Sequence, residues 1–208
     1  MIELKKLDEI IGFYNSNLVL LAGRPGVGVS TLAINLAGNI VKKNIGTVLF
    51  FSLELSKTSC LKKLNVDDIE NLIIDDTPAI TIEEIIERCK STKDLELIAI
   101  DYEALIATKK DLQGIEKINY IRKKLKDLAK ELDVPIVVAN ILNRAPDARF
   151  KAGLDPRPRL DDFETDISGY DTVLLLYREN YYNKNSTNNI LEIIVARNKN
   201  RKLGTIEI

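Results

Sequence analysis

The chain has 208 residues, 45% of them hydrophobic and 29% charged, which is enough to bury a core as one globular domain over residues 1–208. Its 30 basic and 31 acidic residues nearly cancel, which argues against a surface built as a whole to hold nucleic acid or anionic lipid. The sequence contains no histidine, which excludes serine–histidine–aspartate triads and histidine-ligated metals.

The sequence shows no signal for secretion or membrane insertion. Its first ten residues lack an apolar core followed by a small-residue cleavage site, and no apolar run approaches the roughly 20 residues that span a bilayer. The two cysteines, Cys60 and Cys89, form no paired motif and are expected to be buried thiols in a reducing compartment. We therefore expect a cytoplasmic protein without a membrane partner.

In chain order, short apolar runs alternate with amphipathic stretches, which is typical of an α/β domain with a mostly parallel sheet and helices on both faces. The amphipathic stretches predict helices over Ser30–Lys43, Thr81–Lys90 and Ile115–Leu132, the second opened by a capping box. The basic face of the third helix is expected to serve solubility. The aperiodic segment Arg144–Asp166 predicts a long loop. The apolar runs predict strands over Leu18–Ala22, Thr47–Ser52, Leu72–Ile74, Leu95–Asp101, Pro135–Ala139, Thr172–Tyr177, Ile190–Arg197 and Thr205–Ile208.

The first strand leads into a glycine-rich turn and then a helix, which is the setting that a phosphate-binding loop requires. Its glycines let backbone amides and the helix N-terminus face a phosphate, and Ser30 stands where the magnesium-binding hydroxyl belongs. Val29 replaces the lysine that contacts the β- and γ-phosphates. A plain glycine turn between strand and helix is the alternative. The predicted phosphate-binding residues are Gly23, Arg24, Pro25, Gly26, Val27, Gly28, Val29, Ser30 and Thr31.

Further segments resemble, in order and spacing, the C-terminal motor domain of DnaB-type replicative DNA helicases. They are FFSLELS at 50–56, IIDDTPAITIEEI at 73–85, LIAIDYEAL at 97–105, IRKKLKDLAKELDVPIVVANILNR at 121–144, YDTVLLLYREN at 170–180 and IIVARNKNRKLGTIEI at 193–208. The resemblance implies a RecA-like P-loop NTPase fold with an antiparallel C-terminal edge, which binds ATP and Mg²⁺.

The resemblance also implies roles for individual residues. Asp101 matches the carboxylate that holds Mg²⁺ together with Ser30, the alternative being a strand-end aspartate that caps the next element. Glu54 matches the catalytic glutamate that activates water, the alternative being a surface acid. Arg197 and Lys199 match the two cations that enter the neighbouring subunit's site.

Several positions depart from the family's pattern and indicate weakened catalysis. Besides Val29, Ile141 stands in place of a sensor glutamine, and Lys199 lacks the planar fork of the arginine finger that it replaces. We therefore expect a DnaB-helicase-like ATPase domain that acts in DNA replication with impaired ATP hydrolysis. The alternatives are a non-catalytic helicase paralogue serving assembly or regulation, and a recombinase-like DNA-binding protein of RecA fold.

The same resemblance implies partners. They are single-stranded DNA and either identical subunits in a hexameric ring or a full-length helicase. The helicase N-terminal domain and linker are expected to be absent, because the chain begins almost at the first strand. A solvated polar loop is the alternative for the basic segments. The candidate DNA-contacting residues are Lys109, Lys110, Arg149, Lys151 and Arg157.

Overall fold

In the computed structural model, which describes residues 16–42, 46–66, 69–199 and 203–208, eight strands form one sheet. The strands are near-continuously apolar, and most of their side chains are buried. In chain order they are β1 (Leu18–Gly23), β2 (Thr47–Ser52), β3 (Leu72–Asp75), β4 (Leu95–Asp101), β5 (Ile136–Ile141), β6 (Thr172–Arg178), β7 (Leu191–Asn198) and β8 (Gly204–Glu207).

The sheet has the order β3-β2-β4-β5-β1-β6-β7-β8. The six strands from β3 to β6 are parallel to one another, whereas β7 runs antiparallel to β6 and β8 antiparallel to β7. The α/β class, the mostly parallel sheet and the antiparallel C-terminal edge are thereby confirmed. Because the parallel strands share one direction, the carboxyl ends of β1, β2, β4 and β5 meet at the same edge of the sheet.

Helices connect the parallel strands and cover the sheet on both faces. On one face, Val19 and Leu21 of β1 lie in a buried cluster with helix residues such as Leu32. On the other face, Leu18 and Leu20 join a second cluster with further helices. The helices of the described residues are α1 (Val29–Val41), α2 (Lys57–Leu64), α3 (Ile82–Ser91), α4 (Gly114–Leu132), α5 (Ala145–Lys151) and α6 (Glu179–Tyr182). None of these helices combines the length and apolarity needed to span a bilayer.

The predicted helices are confirmed at α1, α3 and α4, with ends that differ by one or two residues. The predicted end of the first helix, Lys43, lies outside the described residues. The capping box is present: the Thr81 amide donates to Glu84 Oε2 at 2.8 Å, and the Glu84 amide donates to Thr81 Oγ1 at 3.3 Å. Both cysteines are buried and free, as expected, and burial raises the pKa of Cys89 to about 12.

Three helices, α2, α5 and the four-residue α6, were not predicted from the sequence. Helix α2 is polar and buries mainly Cys60 among its residues, so it has no apolar stripe to reveal it. Helix α5 lies inside the segment predicted as a loop and has Pro146 as its second residue, where the first helical turn tolerates proline. The long segment is therefore partly ordered as helix, and within it Arg149 donates two hydrogen bonds to Asp162, of 2.7 and 2.6 Å.

The interpretation of the basic face of α4 as a solubility surface is wrong for Arg122. Its guanidinium is buried and makes a bidentate pair with Glu103, with Nε and Nη2 each 2.7 Å from a carboxylate oxygen. The Tyr170 hydroxyl donates to Glu103 Oε1 at 2.6 Å, and Asn140 Nδ2 donates to Glu103 Oε2 at 2.9 Å. Four donors thus compensate one buried carboxylate and fix the start of the segment after β4.

We predict that Arg122→Met lowers the free energy of unfolding by about 3–5 kcal/mol, because Glu103 would remain buried without its counter-charge. Urea denaturation followed by circular dichroism measures this loss. The double variant Glu103→Met/Arg122→Met should recover part of it, and Lys123→Met, at an exposed position of the same helix, should change little. A single variant as stable as the wild type would contradict the role of the pair.

Candidate functional site

The carboxyl ends of the central strands border a cavity of about 300 Å³. The glycine-rich turn after β1 forms one wall, and residues after β2, β4 and β5 form the others. The predicted residues Glu54, Ser30 and Asp101 all line this cavity. The structure therefore brings both acids to the loop and its hydroxyl, although the acids are far from the loop in sequence.

The turn between β1 and α1 has the backbone of an anion-binding loop. Gly26 and Gly28 have φ angles of 86° and 118°, which favour glycine because other residues rarely adopt this region. No side chain caps the N-terminus of α1, so its first amides have no capping acceptor. Arg178, at the end of β6, supports the loop by donating from Nε to the Val27 carbonyl at 3.1 Å. This support from β6 had no recognisable signal in the local sequence.

Close packing also determines the shape of the loop. A Cβ atom added to Gly23 would lie 2.7 Å from Val27 Cγ1 and 3.1 Å from Val29 Cγ2, so a larger residue would have to displace these valine side chains. Val29 lines the cavity at the position where a lysine would offer an ammonium group, and its side chain is an uncharged isopropyl group. The loop retains its backbone donors but has no cation at this position.

Ser30 and Asp101 form the polar floor of the cavity. Ser30 Oγ donates to Asp101 Oδ1 at 3.2 Å, while Asp101 Oδ2 is buried and has no hydrogen-bond partner. Burial raises the pKa of Asp101 to about 6, partly offset by the Ser30 hydrogen bond and increased by the nearby charge of Glu54. A hydroxyl beside a carboxylate with an open oxygen is a donor set that suits Mg²⁺. The residues present therefore fit a magnesium ion.

Arg24 does not replace the missing lysine in this arrangement. Its guanidinium donates to the Leu142 carbonyl at 2.7 Å and to Asp147 Oδ2 at 2.6 Å, so a carboxylate already balances its charge. Lys63 of α2 also lines the cavity, and its Nζ donates to Thr31 Oγ1 at 3.3 Å. Sequence reasoning missed Lys63 because it lies on a helix that was itself not predicted.

Arg197 and Lys199 lie at the opposite edge of the sheet from the cavity. The end of β7 pairs with the beginning of β6, whereas the loop follows the carboxyl end of β1. Arg197 donates to the Ile167 carbonyl at 2.6 Å, and Lys199 Nζ is 3.8 Å from Asp171 Oδ1. Within one chain, these two cations therefore do not join the other predicted catalytic residues.

The predicted DNA-contacting residues lie in two different settings. Lys109 and Lys110 are exposed beyond β4, with Lys110 Nζ 4.7 Å from the centroid of the Tyr120 ring. Lys151 is exposed at the end of α5. Arg149 and Arg157 are instead engaged in ion pairs within the chain, with Asp162 at 2.6 Å and Glu192 at 2.7 Å.

Known proteins resemble this chain over nearly its whole length. The family described as the DnaB-like helicase C terminal domain matches residues 2–70 and 61–208. The chain is 32% identical over 98% of its length to the replicative DNA helicase DnaB of Geobacillus stearothermophilus, and 30% identical over 98% to the replicative DNA helicase DnaC of Bacillus subtilis. It spans 52% of each of these relatives, about half their length.

Solved structures share the fold as well. One ATPase domain superposes with a TM-score of 0.86 at 26% identity, covering 98% of this chain and 85% of that chain. A DnaB-like replicative helicase, solved in a study of its interactions with primase, gives a TM-score of 0.85 at 25% identity and covers 98% of this chain and 57% of that chain. The expected RecA-like architecture of a helicase ATPase domain is thereby confirmed.

We predict that Asp101→Asn stabilises the metal-free protein at pH 8. The native carboxyl, with a pKa of about 6, binds a proton more tightly than an unfolded aspartate, whose pKa is about 3.9. The free energy of unfolding of the wild type therefore falls by up to about 3 kcal/mol as the pH rises through 6. Asparagine does not titrate, so the variant does not lose this stability. Thermal melts in EDTA at pH 8 and pH 5 measure this gain, which should shrink at the lower pH.

The matched control is Asp111→Asn, which removes a carboxylate at an exposed position and should leave the melting temperature unchanged at both pH values. An Asp101→Asn variant that melts at or below the wild-type temperature at pH 8 would show that this carboxylate is not strained by its burial.

Proposed function

Because the chain belongs to the DnaB-like helicase C-terminal domain family, we propose that it is a nucleotide-binding motor domain of a replicative DNA helicase, acting in DNA replication. The observation that carries the proposal is the meeting of the glycine loop, Ser30, Asp101 and Glu54 around one cavity. The ligand is ATP with Mg²⁺, and a hexameric ring of identical subunits is the proposed setting in which single-stranded DNA is bound.

The chain's own groups have distinct parts in this function. Backbone amides of the loop and the N-terminus of α1 bind the phosphates, and Ser30 and Asp101 hold Mg²⁺, which neutralises phosphate charge when bound. Glu54, exposed at the mouth of the cavity, orients and deprotonates a water molecule. Arg197 and Lys199, which lie at the opposite edge of the sheet, serve the site of a neighbouring subunit in this proposal.

Hydrolysis is proposed to be slow. Val29 provides no ammonium group at the start of α1. The side chain of Ile141, which lines the cavity and is 41% exposed, is aliphatic. A preorganised donor in the transition state is worth on the order of 10²–10³ in rate, and valine and isoleucine donate nothing from their side chains. Binding relies on backbone amides and the α1 dipole, which these substitutions leave in place.

The side chains of Val29 and Ile141 favour a second function. In it, the chain is a non-catalytic partner that binds nucleotide and assists the assembly or regulation of a full-length helicase. Such a partner needs the phosphate cradle and the subunit contacts but not turnover. The two functions differ in one measurable quantity, the rate of ATP hydrolysis in the presence of single-stranded DNA.

We predict that the wild-type chain binds ATP but hydrolyses it slowly, and that Val29→Lys raises the turnover about 100-fold or more, because the lysine restores a preorganised cation. A phosphate-release assay with and without single-stranded DNA measures both rates. The control is Val29→Lys/Glu54→Gln, which should abolish the gain because the carboxylate that activates water is absent.

If Val29→Lys hydrolyses ATP no faster than the wild type although it binds ATP, the remaining site is not competent for catalysis. That result would reject the motor function and leave the assembly partner as the function of this chain.

DNA contact is proposed for the exposed lysines Lys109, Lys110 and Lys151, which have no ion-pair partner among the described residues. Arg149 and Arg157 shape the long segment after β5 by pairing with Asp162 and Glu192, and thereby present Lys151. Mobile ammonium groups suit contact with a phosphate backbone that carries no sequence requirement.

We predict that Lys109→Gln/Lys110→Gln weakens binding of single-stranded DNA and lowers the slope of log affinity against log salt by about 1.4, at about 0.7 for each lost phosphate contact. Fluorescence anisotropy with a labelled oligonucleotide at several salt concentrations measures the slope. Lys123→Gln/Lys130→Gln removes the same charge from exposed positions of α4 and should leave the slope unchanged. Equal slopes for both double variants would reject the assignment.

A further inference from the structure

The cavity contains a cation that comes from outside the phosphate-binding loop. The basic residues that line it are Arg24 and Lys63, and Asp147 already pairs with Arg24. Lys63 Nζ is 3.3 Å from Thr31 Oγ1, beside the N-terminus of α1. Within the described residues, no carboxylate lies at ion-pair distance from Lys63, so its charge remains available to an anionic ligand.

The fold holds Lys63 near the loop through the packing of α2. Ser56 caps this helix by accepting from the Ser59 amide at 3.3 Å, and buried Cys60 lies 3.2 Å from Ser52 Oγ at the end of β2. A Cβ atom added to Gly38 of α1 would lie 3.0 Å from Leu64 Cδ2, so the glycine permits α1 and α2 to approach closely. That approach brings Lys63 to the start of α1.

We propose that Lys63 supplies the positive charge that binds the phosphate chain of the nucleotide, in place of the lysine that is missing at position 29. The inference rests on the proposed nucleotide-binding function. Its geometric basis is the position of Lys63, which lines the cavity and donates from Nζ to Thr31 Oγ1. Because Lys63 is exposed and on a long flexible stem, it contributes affinity for the ligand rather than a preorganised group for the transition state.

The test is the affinity of Lys63→Met for ATP, measured by displacement of a fluorescent ATP analogue in the presence of Mg²⁺. We expect binding roughly 10- to 100-fold weaker than that of the wild type, which is the value of one hydrogen bond to a charged group. Lys63→Arg should bind nearly as the wild type does. Lys62→Met, one residue earlier on α2 and outside the cavity lining, should bind equally to the wild type. Circular dichroism verifies that each variant is folded.

A second measurement asks whether positions 63 and 29 supply the same charge. In Val29→Lys/Lys63→Met, the lysine on α1 should restore most of the affinity that Lys63→Met lost. Adding Val29→Lys to the wild type should improve binding by a smaller factor, because the charge is already present.

The outcomes separate this inference from the proposed function. If the wild type binds ATP and Lys63→Met binds equally tightly, Lys63 is not the cation and the nucleotide-binding function stands. If Arg24→Gln loses affinity while Lys63→Met does not, Arg24 supplies the charge and the inference is overturned. If the wild type fails to bind ATP at millimolar concentrations, the proposed function fails, and the role of Lys63 fails with it.

Discussion

The parallel strands of this sheet are covered by helices on both faces, and that burial is the constraint on which the site depends. Alternate residues of β1 enter two different apolar clusters, so the strand has no face on which a polar side chain could meet water. Polar groups are accommodated where the strands end, and parallel strands end at one edge. Asp101 of β4 and Asn140 of β5 therefore line one cavity because of their positions at strand ends.

Glu103 and Asp101 are both buried, and burial costs each carboxylate its hydration, but their surroundings give them different roles. Glu103 is compensated by Arg122, Tyr170 and Asn140, so its burial strengthens the framework. Asp101 keeps one oxygen without a partner and accepts a single hydrogen bond from Ser30. The unsatisfied carboxylate costs folding free energy, and the proposed Mg²⁺ would offset that cost. Such a conflict between stability and function is characteristic of binding sites.

The chemistry of the loop separates the affinity for phosphate from the acceleration of hydrolysis. Backbone amides and the dipole of α1 survive any change at position 29, because they belong to the main chain. Lys63 can add a charge from α2, but its long stem is not held in one geometry as a residue at the start of α1 would be. A chain can therefore retain a nucleotide while it loses the group that lowers the barrier, and this separation is what distinguishes a motor from an assembly partner.

Local sequence determined much of this protein. The apolar runs, the capping box at Thr81 and the glycine-rich turn depend on neighbouring residues, so periodicity and composition revealed the α/β class and the loop. The glycine-rich loop and the family resemblance identified Ser30, Glu54 and Asp101, but only the tertiary structure showed that other charged residues also contact the cavity or pair with each other. The sequence indicated that Arg122 faces solvent together with the lysines around it, whereas the fold pairs it with Glu103, 19 residues away. Lys63 was missed because it lies on a helix without an apolar stripe. Contacts between distant residues depend on how helices pack across the sheet, and no short-range pattern encodes that packing.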